Sequence, residues 1–326
     1  ARLNETNMVQ TVGYGEDEYC AAAREKIRAV CQAPEADVHF LVGGTQTNTT
    51  VIASILRPWQ GVLSADSGHI NCHEAGAIEF TGHKVIALPV YDGKLRAEDV
   101  WMYMKDYWQD ASHQHFVYPG MVYISYPTEF GTLYTKRELV ELASVCRWYN
   151  IPLYIDGARL GYGLMAEGDI TLPELAQLCD VFYIGGTKVG ALFGEAAVFT
   201  KHNMPRYFST IAKQHGALLA KALLGLQFDT LFTDDLYFRI SKHAINMAMQ
   251  IRDAFDARGL QFYLHSPTNL QFLIMENKAA VLQQKIAFHT WGKVDEEHSV
   301  ARFATSWSTT QEDVDALIDA IKTLKA

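Results

Sequence analysis

The chain has 326 residues, too many for a minimal domain and suited to one large domain with a smaller one beside it. Hydrophobic residues make up 49% and charged residues 20%, ordinary values for a globular chain that buries a sizeable core. The net charge of −9 argues against a nucleic-acid surface or a basic membrane patch, and no apolar run approaches the length of a transmembrane helix. Five cysteines (Cys20, Cys31, Cys72, Cys146 and Cys179) are odd in number, widely spaced and free of any CxxC pattern. A disulfide framework is therefore not expected, no signal-peptide pattern is read, and a reducing, cytoplasmic setting is the expectation.

Short apolar runs alternate with amphipathic segments, without repeats or low-complexity tracts. Residues 16–31 carry acidic side chains first and basic ones later, which suits a helix and its dipole. The apolar run 38–42, closed by Gly43 and Gly44, predicts a buried strand, and 46–57 a helix. Strand 84–88, helix 96–108 and strand 121–126, stopped by Pro127, follow in turn. A helix over 135–149 and strands at 152–156 and 180–184 complete the series. This alternation predicts an α/β fold with a mostly parallel sheet between helices. Beyond residue 200 the pattern changes to largely helical over 205–258, strands at 261–264 and 270–275, and a last helix over 310–324. That helix is expected to start at Thr309 or Thr310 with Glu312 as its capping element. The domain reading is a large domain over 1–229 and a smaller C-terminal α+β domain over 230–326.

Open α/β sheets take ligands at the carboxyl ends of their strands, so the residues just after the predicted strands are the informative ones. After 38–42 comes Gly43-Gly44-Thr45-Gln46-Thr47-Asn48. Its glycines would let backbone N–H groups reach an anion at a helix start, although a Gly-Gly turn with a threonine cap fits equally well. After 152–156 comes Asp156-Gly157-Ala158-Arg159. Here a carboxylate could pair with a protonated heterocyclic nitrogen or, more plainly, with an arginine or a helix start. After 180–184 comes Gly185-Gly186-Thr187-Lys188-Val189-Gly190. A lysine among small residues has room for a planar cofactor and, once desolvated, becomes a nucleophile; most lysines are simply solvated, but the apolar residues 189–193 argue against that. Together the three make a phosphate site, a heterocycle partner and a Schiff-base lysine, in chain order on one sheet. His69 and His73, with Glu74 beside the second, have the spacing of a zinc pair on a helix, but no third ligand follows at a matching distance. His113 and His115 read as solvated, and no metal is expected.

The segments GGTQTN (43–48), GHINCHEAGA (68–77), YPTEFGTLY (126–134), YIDGARLG (154–161), GGTKVGALFGEA (185–196), AKQHGALLAK (212–221) and VDEEHSVARFATSW (294–307) form a specific set. With TVGYGED at 11–17, they make the chain resemble the low-specificity threonine aldolase / β-eliminating lyase family of fold-type-I, pyridoxal-5′-phosphate-dependent enzymes. The resemblance implies that cofactor and a carbon–carbon lyase of amino-acid metabolism, cleaving L-threonine or L-allo-threonine to glycine and an aldehyde. It implies that Lys188 is the Schiff-base lysine, Asp156 the partner of the cofactor's ring nitrogen, and His69 the imidazole stacked on that ring. Gly44 and Thr45 then correspond to the phosphate cradle and Lys213 to a basic phosphate ligand. Arg159 corresponds to the guanidinium near the cofactor's phenolic oxygen and the substrate carboxylate, and Arg302 to the second arginine that grips that carboxylate. Glu129 stands where some members carry a histidine linked to the substrate hydroxyl, and the family's N-terminal segment, which adds a small polar residue, is expected to be absent or truncated before Ala1. The base for the β-hydroxyl proton is left open between His69, the cofactor phosphate and a water. A homodimer or homotetramer is implied, with 14–17 and Lys213 as candidates for reaching a neighbouring subunit's site. Two alternatives remain: another reaction on the same cofactor, β-elimination or transamination, and a non-catalytic binding or scaffold protein that kept the fold.

Overall fold

The computed structural model describes residues 1–217, 222–277 and 286–322. Seven strands form the larger sheet: β1 (Asp37–Leu41), β2 (Gln60–Ala65), β3 (Val85–Leu88), β4 (Tyr118–Ser125), β5 (Leu153–Asp156), β6 (Val181–Gly185) and β7 (Glu195–Phe199). Their order is β1-β7-β6-β5-β4-β2-β3; β7 runs antiparallel to both neighbours and the other pairs are parallel. The predicted strands at 38–42, 84–88, 121–126, 152–156 and 180–184 are all present within a few residues. Two more join them. β2 follows its preceding helix after a short Pro58–Trp59 turn, so no polar gap announces it, and β7 is rich in alanine.

Period-2 alternation divides the side chains of this sheet between two apolar layers. On β4, Val122 and Ile124 enter one layer with Ile155, Phe182 and Ile184, while Met121 and Tyr123 enter the other with Tyr154 and Tyr183. Helices cover both faces. The helix Lys136–Tyr149 shows why such a segment folds as it does: Thr135 and Glu138 form a reciprocal capping box, and Asn150 ends the helix in the left-handed region. Its buried residues Leu139, Leu142, Ala143 and Cys146 recur at helical spacing and face the core.

The smaller sheet is antiparallel throughout, with strands β8 (Phe262–Leu264), β9 (Leu270–Glu276), β10 (His289–Lys293) and β11 (His298–Ala304) in the order β10-β11-β9-β8. β8 and β9 match the prediction; β10 and β11 went unread because the acidic Asp295-Glu296-Glu297 turn between them masks a hairpin. The last helix runs Gln311–Ile321 from the N-cap Thr310, and its capping partner is Asp313 rather than Glu312. The reason is geometric: the third helical position is the one that reaches back to the N-cap N–H. A 22-residue helix, Leu236–Ala257, serves both sheets. Tyr237, Ala244 and Ile245 pack into the large core, and Met247, Ile251 and Phe255 into the small one. All five cysteines are free thiols, and no helix among the described residues is long and apolar enough to cross a membrane.

Candidate active site

The carboxyl ends of β4, β5 and β6 lie side by side. Each of these strands carries a tyrosine two residues before its end, Tyr123, Tyr154 and Tyr183, and alternation turns all three to one face, where they are fully buried. Asp156 at the end of β5 shares that face. Its Oδ2 accepts from the Tyr123 hydroxyl at 2.6 Å and from Asn48 Nδ2 at 3.0 Å, and its Oδ1 accepts from the Ala158 N–H at 3.0 Å. Burial works to raise the Asp156 pKa, but His69 and the donors Tyr123, Tyr183 and Asn48 prevail and hold it below the usual carboxylate range.

Close backbone crossing leaves no room for side chains at the two turns beside this carboxylate. A Cβ on Gly157 would sit 1.9 Å from the Tyr183 carbonyl oxygen, and one on Gly185 would sit 2.2 Å from that of Ala158. These glycines let the Asp156 and Lys188 loops cross. Lys188 follows β6 as a partly buried residue, with its carbonyl accepting from the Tyr162 hydroxyl. Burial pulls its amine down to about 8, aided by the Arg159 charge and opposed by Asp156, Glu195 and Glu129.

Asn48 is the hub of a buried network that the sequence reading missed. It lies in the helix Gly44–Ile55, accepts from the Tyr154 hydroxyl at 2.7 Å, and donates to Glu74 at 2.7 Å as well as to Asp156. The same Glu74 oxygen lies 2.7 Å from His69 Nδ1. Burial would lower the His69 pKa; the hydrogen bond to Glu74 and the charges of Asp156 and Glu74 outweigh burial and Lys188, and the net shift is upward. Glu129 is buried, accepting from the His69 N–H at 2.9 Å and the Ser125 hydroxyl at 2.5 Å, and burial pushes its carboxyl up. Glu195 at the start of β7, a carboxylate that the sequence reading missed, accepts from the Gly186 N–H at 2.9 Å and is pushed up to about 7 by burial.

His69, Glu129, Arg159, Lys188 and Arg302 line one cavity of about 270 Å³, together with His73, His289 and Trp291. Arg302 comes from β11 of the small sheet, so the cavity lies between the two sheets. The Arg302 Nε is buried and has no hydrogen-bond partner among the described residues. Burial lowers its pKa, and Arg159 lowers it further: the two guanidiniums repel each other.

The remaining predicted residues lie apart from the cavity wall. Gly44 opens the helix Gly44–Ile55, whose N-cap Gly43 has no side-chain cap, and Thr45 follows it, exposed. A Cβ on Gly44 would lie 3.1 Å from the Tyr183 hydroxyl, which places this helix start next to the Asp156 network. Lys213 is exposed on the helix Phe208–Gln214, its Nζ 5.1 Å from the centroid of the Tyr14 ring. In the 14–17 segment Asp17 is buried and caps the following helix through the Cys20 N–H. His69 and His73 pack ring against ring at 5.6 Å, and no group of three or more metal-ligating side chains occurs among the described residues. His113 packs against Trp108 at 5.2 Å rather than standing free.

The strand order and the cluster at the carboxyl ends of β4 to β6 define an α/β enzyme of the fold-type-I class. The chain belongs to the beta-eliminating lyase family, whose family model matches residues 3–310. It is similar to the low specificity L-threonine aldolase of Pseudomonas aeruginosa, 27% identical over 99% of this chain and 92% of that protein. The Leishmania major threonine aldolase structure aligns with a TM-score of 0.95 at 39% identity, over 99% of this chain and 94% of that one. A Thermus thermophilus aspartate aminotransferase shares the fold with a TM-score of 0.68 at 15% identity, over 98% of this chain and 85% of that one.

Proposed function

We propose that this protein is a pyridoxal-5′-phosphate-dependent carbon–carbon lyase that cleaves L-threonine, L-allo-threonine and related β-hydroxy-α-amino acids to glycine and an aldehyde. The observation that carries the reading is the convergence of Lys188, His69, Arg159 and Arg302 on one cavity, backed by a buried Asp156. The residues fit the cofactor. A desolvated amine at Lys188 suits its aldehyde, the ionised Asp156 its ring nitrogen, and the flat His69 imidazole its ring face. The uncapped helix start at Gly44 and Thr45 offers N–H groups to its phosphate, with Lys213 as a further cation from outside the cavity. When bound, the group supplies an electron sink for the pair released as the Cα–Cβ bond breaks.

The chain's own residues do the rest. Arg159 and Arg302 take the substrate carboxylate, which removes their mutual repulsion and gives the Arg302 Nε side of the cavity an acceptor. Asp156 stays ionised because three donors and the His69 charge stabilise its anion. His69 is the acceptor for the β-hydroxyl proton: Nδ1 is committed to Glu74, which leaves Nε2 for the substrate. Glu129 fixes His69 through the backbone N–H and borders the place of the hydroxyl.

This assignment has a pH signature. Glu74 raises the His69 pKa, so the base form is populated only as pH rises through that raised value. Glu74→Gln keeps an acceptor for Nδ1 but removes the charge, and the acid limb of the kcat profile is expected to move to lower pH. An unmoved limb would separate Glu74 and His69 from the proton transfer.

The function itself is tested by incubating the purified protein with pyridoxal 5′-phosphate and L-threonine and measuring products. Glycine and acetaldehyde in equal amounts are expected. Ammonia with a keto acid would replace aldol cleavage by β-elimination, and an amino-group transfer to an added keto acid would mark an aminotransferase. The active protein is expected to be a homodimer or homotetramer, as its family implies.

A further inference from the structure

The small sheet places His289 and Trp291 in the cavity beside Arg302, and of these two Trp291 touches the arginine. β10 and β11 pair His289 with Arg302 and Thr290 with Ala301, then Gly292 with Val300. The register shifts at that step, and Trp291 is the extra residue. Bulges of this kind sit next to active sites and re-aim the side chain they carry. The indole packs against the Leu270, Phe272 and Val300 cluster and lies over Arg302, its ring centroid 4.5 Å from the guanidinium carbon. The ring is itself held from three sides, by His73 at 5.4 Å, Phe272 at 5.9 Å and Phe130 at 6.0 Å. Phe272 belongs to β9, whereas Phe130 and His73 belong to the large part of the molecule, so the indole is wedged between the two sheets.

Arg302 needs such a support. Its Nε has no hydrogen-bond partner among the described residues, and the neighbouring charge, Arg159, pushes it away. An arginine has many rotamers and loses rotational entropy when one is imposed. A flat, electron-rich face is a surface that fixes the guanidinium plane while leaving its outer nitrogens free. We propose that Trp291 is the positioning residue for Arg302, holding its guanidinium in the plane that receives the substrate carboxylate. The tight packing around the indole is what makes it stiff. The proposal rests on the reading of this cavity as an amino-acid site and assigns a specificity element within it.

The test uses the full-length protein supplied with pyridoxal 5′-phosphate. It compares wild type, Trp291→Leu, Trp291→Phe, Arg302→Ala and the Trp291→Leu/Arg302→Ala double variant. Two quantities are read: KM and kcat for L-threonine, and the affinity for glycine by calorimetry. Trp291→Leu is expected to raise KM and weaken glycine binding roughly tenfold, with kcat changed much less. Trp291→Phe keeps a π face and is expected to restore most of the loss. In the Arg302→Ala background Trp291→Leu is expected to add nothing, because its effect passes through the guanidinium. If Trp291→Leu fails to fold, Trp291→Met, of similar reach and without a π face, takes its place. Unchanged constants in Trp291→Leu, or an equal loss with and without Arg302, would overturn the proposal while leaving the aldolase reading intact. A wild type that neither cleaves threonine nor binds glycine would overturn both.

Discussion

Lys188→Ala is expected to lower kcat for threonine cleavage by roughly a thousandfold or more, with the melting temperature little changed. The reasons are local. Lys188 sits in a loop whose path is set by Gly185 and Gly157, so the side chain is placed by backbone geometry and its loss leaves the loop in register. Burial and Arg159 bring its amine down to about 8, so a useful fraction is neutral in mildly alkaline solution. Arginine cannot take that role, and Lys188→Arg is expected to be as inactive as the alanine variant although it keeps the charge. Borohydride reduction followed by peptide mass mapping gives a second readout: a phosphopyridoxyl adduct on Lys188 in the wild type and none at that position in either variant. Retained turnover in Lys188→Ala, or an adduct on a different lysine, would remove Lys188 from the chemistry.

Asp156→Asn is expected to cost roughly a hundred- to a thousandfold in kcat with a smaller effect on KM. Asp156 is buried and lies in a nest of donors, so the asparagine amide must turn a donor toward Tyr123, Asn48 or the Ala158 N–H. The negative charge also disappears from a site where it raises the His69 pKa and opposes the depression of the Lys188 amine. The outcome that supports the assignment is a protein that still takes up pyridoxal 5′-phosphate but turns over slowly. A variant with near-normal kcat would reduce Asp156 to a structural member of the buried network.

The parts of the fold that were legible in the sequence are those whose physics is local. The strands ending at Leu41, Ser125, Asp156 and Gly185 are apolar runs stopped by Gly, Pro or a charged residue, and all four are found. The helix over 135–149 was read from its amphipathic pattern, although the capping box at Thr135 and Glu138 that starts it was not. The candidate site was legible where it follows those strand ends, at Asp156, Arg159 and Lys188. Residues whose task depends on partners far away in the chain were not. Asn48 meets Asp156 across 108 positions of sequence, and nothing local distinguishes it from its polar neighbours. One signal was available: Thr47, Asn48, Thr49 and Thr50 form a polar run that an ordinary surface helix would expose and that is buried here. Glu195 and Trp291 were missed for a different reason, because β7 and β10 themselves went unread. Lys213 shows the converse: its assignment came from family likeness alone, and its side chain lies over Tyr14 rather than in the cavity.

The 22-residue helix Leu236–Ala257 has a consequence for motion. Hinges form where loop or terminal residues absorb a change in backbone angles. Here the two cores share the middle of the helix, with Met247 in the small core and Met249 against the large one, where every backbone angle is already committed to the helical ladder. Swinging the small sheet over the cavity would bend that rod or tear it from one of its two cores. The separation between Lys188, in the loop after β6, and Arg302 on β11 is thus established when the chain folds, and the substrate meets a preorganised gap rather than assembling it by closure.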